Sequence, residues 1–68
     1  MNITITINTD NDAFTTKGHQ NTERIYFELI RVLAPFHEAV RLRGLARSNG
    51  MALLDTNGDT VGKVVVTE

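Results

Sequence analysis

The residues best suited to chemistry in this chain of 68 residues are three oxygen-bearing side chains near its C-terminus, Asp55, Asn57 and Asp59. Alternating oxygen ligands with this spacing begin the calcium-binding loop of EF-hands. In that loop a glycine stands at the sixth position and a bidentate glutamate at the twelfth, whereas this chain has Thr60 and Val66 there. We therefore interpret the segment as a turn between two strands and expect no metal site.

The chain offers little else for catalysis or for metal binding. It has two histidines, His19 and His37, and no cysteine, whereas a zinc site needs three or four ligands. Its only serine, Ser48, stands in a segment with the composition of a turn. The glycines match no nucleotide-binding fingerprint. The sequence therefore predicts a protein that is not an enzyme and that uses no cofactor.

Three arginines near the middle of the chain are the candidates for contact with nucleic acid. Arg41, Arg43 and Arg47 lie at the predicted end of a helix, where cations also complement the helix dipole and bind its free carbonyl groups. The net charge of the chain is −1, whereas nucleic-acid-binding domains usually carry a large positive excess. A small nucleic-acid-binding regulator that uses this cluster is therefore the alternative function and not the preferred one.

The hydrophobic pattern predicts the elements that would carry these residues. At the N-terminus isoleucine alternates with Asn and Thr, which predicts a strand over residues 2–8 whose half-buried face carries Ile3, Ile5 and Ile7. Residues 15–21 are polar and are predicted to form a loop.

A long amphipathic helix is predicted from Thr22 to Arg43. Its apolar stripe, which would cover a sheet, is made up of Ile25, Leu29, Val32, Leu33, Phe36, Ala39 and Val40. Asn21 or Thr22 is the predicted N-cap, and Gly44 is the predicted left-handed C-cap. Pro35 removes one backbone hydrogen bond, so we expect a kink there. Two shorter helices that meet at this proline are the alternative, which the unbroken stripe disfavours.

An Asn-Gly pair between two β-favouring runs predicts a hairpin at the C-terminus. With a two-residue loop, the arms are residues 51–56 and 59–67, and Leu54 pairs with Val61. The second arm is β-branched on both faces, which favours a central position. The predicted fold class is α+β, with β-α-β-β order, a three-stranded sheet of order 1-3-2 and one long, Pro-kinked helix packed on one face.

One helix cannot cover all the apolar surface of such a fold. Two side chains on the helix and three on the second face of the sheet are left over: Phe27, Ile30, Leu54, Val61 and Val65. A kink and a covering loop that hide these side chains are one account. We prefer an interface, in which they bind another protein or a second copy of the chain, with the aromatic Phe27 as the anchor.

The length fits a single domain, residues 1–68, that gains stability from association. A domain of this size buries only about 60% of the surface of its unfolded chain, and without cysteine it has no disulfides. A homodimer is therefore expected. No apolar run exceeds four residues, so we expect neither a membrane span nor a signal peptide, and a cytoplasmic location.

The two ends of the chain resemble a group of small uncharacterised proteins encoded in bacterial genomes and their phages. The similar segments are residues 2–14, NITITINTDNDAF, and residues 54–62, LDTNGDTVG. The resemblance implies a phage or prophage origin and supplies no active site. By analogy with compact phage proteins of β-α-β-β order, it implies an inhibitor or adaptor that acts on a host protein complex, for example an anti-CRISPR inhibitor.

Overall fold

The computed structural model describes all 68 residues and shows an α+β fold with one long helix. Its elements are β1 (Asn2–Ile7), β2 (Thr15–Thr16), β3 (His19–Gln20), α1 (Thr22–Arg43), a 3-10 turn (Ala46–Ser48), β4 (Ala52–Leu54) and β5 (Thr60–Thr67).

The main sheet has three antiparallel strands in the order β1-β5-β4. Ile3 lies opposite Val66 and Ile5 opposite Val64, so these side chains share one face of the sheet. Val64 and Val66 are buried on that face. The face is therefore the one that the helix covers.

A second, two-stranded sheet forms where the sequence predicted a loop. Thr15 pairs with Gln20 and Thr16 with His19, so the prediction of a loop over residues 15–21 is wrong in part. Lys17 and Gly18, with φ of 54° and 80°, both adopt the left-handed backbone that a tight hairpin turn requires. Lysine rarely adopts this conformation, which is why the turn has no clear sequence signal.

The helix begins and ends at the predicted residues, but Gly44, with φ of 89° and ψ of 162°, lies outside the left-handed helical conformation predicted for its cap. The Asn21 side chain accepts a hydrogen bond from the Arg24 N–H (3.1 Å), which caps the N-terminus. At the other end the Gly44 N–H donates to the Val40 carbonyl (3.0 Å). The helix is one element that continues through Pro35, and the kink at this residue stays a prediction.

The tip of the β4–β5 hairpin differs from the predicted two-residue turn. The Asp55 N–H donates to the Asp59 carbonyl (2.9 Å) and the Gly58 N–H donates to the Asp55 carbonyl (3.1 Å), which leaves three residues in the loop. Gly58, with φ of 84°, supplies the left-handed residue of this loop. As a result Leu54 lies opposite Thr60, and the predicted pairing with Val61 is wrong.

A β-bulge in β5 corrects the register that the longer loop displaces. Leu53 lies opposite Gly62 and Leu54 opposite Thr60, so Val61 is the extra residue on its strand. Its side chain is 6% exposed and belongs to the core, which makes the predicted exposure of Val61 on the second sheet face wrong. Burying a valine contributes about 1.5–3 kcal/mol, a sufficient reason for the strand to bulge.

The core lies between the helix and the β4 side of the sheet. It contains Ala13, Phe14, Val32, Phe36, Leu53, Val61, Val64 and Val66. The helix lies closer to β4 and the 3-10 turn than to β1. Ile3 and Ile5, which face the helix, are therefore only partly covered.

Candidate functional site

The calcium-like residues at the hairpin tip have a structural role. Asp55 is buried, and its Oδ1 accepts hydrogen bonds from the backbone N–H groups of Asn57 and Asp59, both at 2.9 Å. Its Oδ2 accepts a hydrogen bond from the Asn11 side-chain amide at 2.8 Å. The carboxylate therefore closes the three-residue loop and ties it to the segment after β1.

The histidines and the serine lie apart from one another in the fold. His19 is exposed in β3, and His37 lies on the helix. Ser48 is buried in the 3-10 turn, where its hydroxyl donates to the Gly44 carbonyl (3.0 Å). No group of three or more metal-ligating side chains is close enough to hold an ion.

The predicted arginine cluster contains one paired and two unpaired cations. Arg41 donates to the Glu38 carboxylate through Nε at 2.9 Å and through Nη2. Arg43 ends the helix and Arg47 lies in the 3-10 turn, and both are exposed without an ion pair. This arrangement leaves two exposed charges, which is a small electrostatic footprint for nucleic acid.

Three neighbouring apolar side chains on the outer side of the helix form a surface that we call the helix patch: Tyr26, Phe27 and Ile30. They are 62%, 58% and 61% exposed. The rings of Tyr26 and Phe27 pack edge to face, with centroids 5.2 Å apart. Ile30 lies one helical turn from both aromatic residues. The structure thus places the predicted residues Phe27 and Ile30 side by side and adds Tyr26, which its i, i+4 spacing from Ile30 could have indicated.

A polar cavity of about 680 Å³ adjoins the helix patch at Phe27. Its charged lining consists of Asp12, Glu23, Glu28 and Arg24. Glu28 is buried; its Oε1 lies 3.8 Å from Arg31 Nη1, and its Oε2 has no hydrogen-bond partner. Arg31 offsets the charge of Glu28, and the remaining carboxylates of Asp12 and Glu23 against Arg24 give the rim beside Phe27 a small negative balance.

The remaining predicted side chains do not join this surface. The helix packs on one face of the sheet, and the strand alternation places Leu54 and Val65 on the opposite face. Leu54 is exposed and Val65 is half-buried. Because Val61 is in the core, the five predicted residues divide between the core and two opposite sides of the molecule.

An apolar groove, which the sequence did not predict, lies between the helix and the edge strand β1. Its volume is about 420 Å³, and its lining consists of Ile3, Ile5, Leu33, Phe36, His37, Val40 and Leu45. The sequence pattern placed Ile3 and Ile5 on the face of the sheet that the helical stripe would cover, but it did not show that the helix lies nearer to β4. The groove is the space that this displacement leaves.

The long helix lacks the uninterrupted apolar stretch that would let it cross a membrane, and so does every other helix in the structure. No protein-family model, no curated protein and no solved structure matches this chain. Its function is therefore inferred from its own surfaces.

Proposed function

We propose that the protein is a non-enzymatic binding module that docks onto another protein through the helix patch. The observation that carries the proposal is the exposure of Tyr26, Phe27 and Ile30, which are adjacent on one helix and all more than half exposed. Aromatic side chains are enriched among the residues that dominate binding energy, particularly where polar groups surround them. Phe27 belongs to the helix patch and also lines the charged cavity, and it is the proposed anchor.

The energy available from the helix patch fits a docking surface. Full burial of a large apolar side chain contributes about 1.5–3 kcal/mol, so covering the exposed part of three contributes about 3–5 kcal/mol. The two rings already pack against each other in the free protein, so little side-chain ordering is needed on binding. The patch is thus partly organised before a partner arrives.

The charges beside Phe27 indicate the chemistry of the partner. With the charge of Glu28 offset by Arg31, Asp12 and Glu23 still outnumber Arg24 around the cavity. A partner surface that presents an apolar recess flanked by Lys or Arg would complement both parts of this site.

The narrower proposal is that this partner is a host protein complex and that the chain is a phage-derived inhibitor or adaptor, for example of CRISPR interference. It rests on the resemblance of residues 2–14 and 54–62 to small proteins encoded in bacterial genomes and their phages. Expression of the chain in a bacterium with active CRISPR interference should then restore plaques of a targeted phage. An unchanged plaque count would refute that example and leave the binding surface to be tested separately.

The binding surface is tested with Phe27→Gln and the matched control Leu42→Gln. Leu42 lies on the same helix with a similar exposure of 67%, but outside the helix patch. The immobilised wild-type chain and both variants are incubated with bacterial lysate, and captured proteins are quantified by mass spectrometry. A true partner is captured by the wild type and by Leu42→Gln, and at least about 30-fold less by Phe27→Gln, as expected for loss of a 2 kcal/mol anchor.

Circular dichroism and thermal melting of each variant separate binding from folding. Because Phe27 is more than half exposed, Phe27→Gln should fold, with a cost of about 1 kcal/mol. A folded Phe27→Gln variant that captures the same proteins in the same amounts as the wild type would show that the helix patch is not the binding surface.

A further inference from the structure

We propose that β1 pairs with β1 of a second copy of this chain, in antiparallel orientation about a two-fold axis at Ile5, to form a continuous six-stranded sheet. The interface is separate from the helix patch and does not depend on the function proposed above. It unites two features of the structure, the unpaired edge of β1 and the apolar groove beside it.

The hydrogen-bonding pattern shows which groups of β1 are available. The Asn8 N–H donates to the Val61 carbonyl at 2.7 Å, which fixes the side of the strand that faces β5. Because this direction alternates along an antiparallel strand, Thr4 and Thr6 also bond to β5. The N–H and C=O groups of Ile3, Ile5 and Ile7 therefore point away from the sheet. A two-fold axis at Ile5 places Ile3 of each copy opposite Ile7 of the other, and Ile5 opposite Ile5. The free N–H groups of one strand then face the free C=O groups of the other.

The free edge of β1 has none of the devices that prevent strand pairing. Its six residues, Asn2–Ile7, include no charged side chain and no proline, and pairing with β5 is regular along its length. Natural edge strands are usually shortened, charged or bulged to prevent association. The opposite edge meets that expectation, because β4 has only three residues and pairs with a bulged partner.

The groove gives the same pairing an apolar interior. Ile3 and Ile5 are 48% and 41% exposed, and both side chains line the groove below the helix. A two-fold axis perpendicular to the sheet keeps both helices on the same face, so the isoleucines of the two β1 strands become cross-strand neighbours and cover each other's flanks. The second copy therefore shields the outward-facing flanks of Ile3 and Ile5, which the displaced helix leaves open.

Charge and size are both compatible with a second copy as the occupant. Each chain carries a net charge of −1, but neither β1 nor the lining of the groove contains a Lys, Arg, Asp or Glu, so two copies meet without repulsion. A six-residue strand is about 20 Å long, and the molecule is about 18 Å thick including the helix, so the projected contact is at most about 360 Å² per copy. This area is below the about 500 Å² per copy at which specific dimers usually begin, so the backbone hydrogen bonds of the paired strands must supply part of the affinity. A weak, concentration-dependent dimer is expected.

The first test measures mass and amide protection of the wild-type chain. In sedimentation equilibrium the apparent mass should rise from 7.6 kDa towards twice that value between about 10 μM and 1 mM. Over the same range, hydrogen exchange should slow at the amides of Ile3, Ile5 and Ile7, while those of Thr4 and Thr6 are protected throughout. A mass of 7.6 kDa at 1 mM, or a dimer in which the three isoleucine amides stay unprotected, would overturn the proposal.

The second test compares Ile5→Lys with Leu54→Lys. Both replace a partly exposed apolar side chain on an edge strand with lysine, but Leu54 lies on β4 at the other edge of the sheet. Ile5→Lys should be monomeric at 1 mM, because two ammonium groups would meet at the axis, whereas Leu54→Lys should dimerise as the wild type does. Equal dimerisation of the two variants would contradict the interface. Should Ile5→Lys fail to fold, the amide protection of the wild type still decides the question.

Discussion

Replacement of Gly62 by alanine is the sharpest test of the packing of the sheet. Gly62 lies between Ile7 on β1 and Leu53 on β4. A Cβ atom at this position would lie 2.2 Å from the Thr6 carbonyl oxygen and 3.1 Å from Ile7 Cα. Both are backbone atoms, so no side-chain rotation relieves the overlap. β1 must instead move away from β5 by at least 0.8 Å to reach the 3.0 Å closest approach of real Cβ atoms.

The cost of that movement follows from three terms. Overpacking of a closed site costs about 1–3 kcal/mol. Displacement of β1 weakens the short Asn8–Val61 hydrogen bond, a further cost of about 1 kcal/mol. The smaller entropy of the unfolded alanine chain offsets about 0.4–1 kcal/mol. The net destabilisation ranges from about 1 to about 3.6 kcal/mol and centres near about 2.3 kcal/mol, a large part of the about 3–5 kcal/mol that a domain this small usually has.

Thermal melting by circular dichroism measures the effect. At about 4–8 °C per kcal/mol, Gly62→Ala should lower Tm by about 10–20 °C, with the largest rise in amide exchange on β1. The control is Lys63→Ala on the same strand. The side chain of Lys63 is exposed, so this substitution should change the free energy of unfolding by no more than about 0.5 kcal/mol. A Tm for Gly62→Ala within about 3 °C of the wild type would mean a cost below about 1 kcal/mol. That result would show that β1 and β5 are not packed so closely.

Two further substitutions test the hairpin tip and the bulge. Val61→Ala should lower the free energy of unfolding in urea by about 2 kcal/mol, and Val65→Ala should lower it by less than about 1 kcal/mol, because only Val61 is in the core. Similar losses for the two variants would mean that Val61 is not turned inward. Asp55→Ala should cost about 3 kcal/mol through the loss of three hydrogen bonds. Calcium should leave the Tm of the wild type unchanged, and a Tm that rises with calcium would instead reveal binding to the folded state.

Elements with strong local signals were predictable from the sequence. The helix could be placed from Thr22 to Arg43 because an asparagine cap, an apolar stripe and a glycine after the last turn all agree on its limits. The alternating isoleucines predicted β1 in the same way. The β2–β3 ribbon has only two residues per strand and a lysine in its turn, so neither periodicity nor composition marked it.

The candidate sites were less predictable because they depend on how the layers pack. Phe27 and Ile30 could be identified because they fall outside the helical stripe, and the structure places both in the helix patch. Leu54 and Val65 were expected beside Val61 on one surface, a prediction that assumed a regular register. The apolar groove depends on a sideways displacement of the helix towards β4, for which no single residue in the sequence is a signal.

The loop and the bulge of the β4–β5 hairpin form a compensating pair. The loop has one residue more than the tightest turn allows, and one additional residue in β5 cancels the offset before the strand reaches Gly62. Shortening the tip by one residue would therefore favour regular pairing along the whole hairpin, with Val61 rotated from the interior to the solvent. The length of an exposed turn and the composition of the hydrophobic interior are thus coupled in this protein, and an insertion or deletion at the tip alters its core.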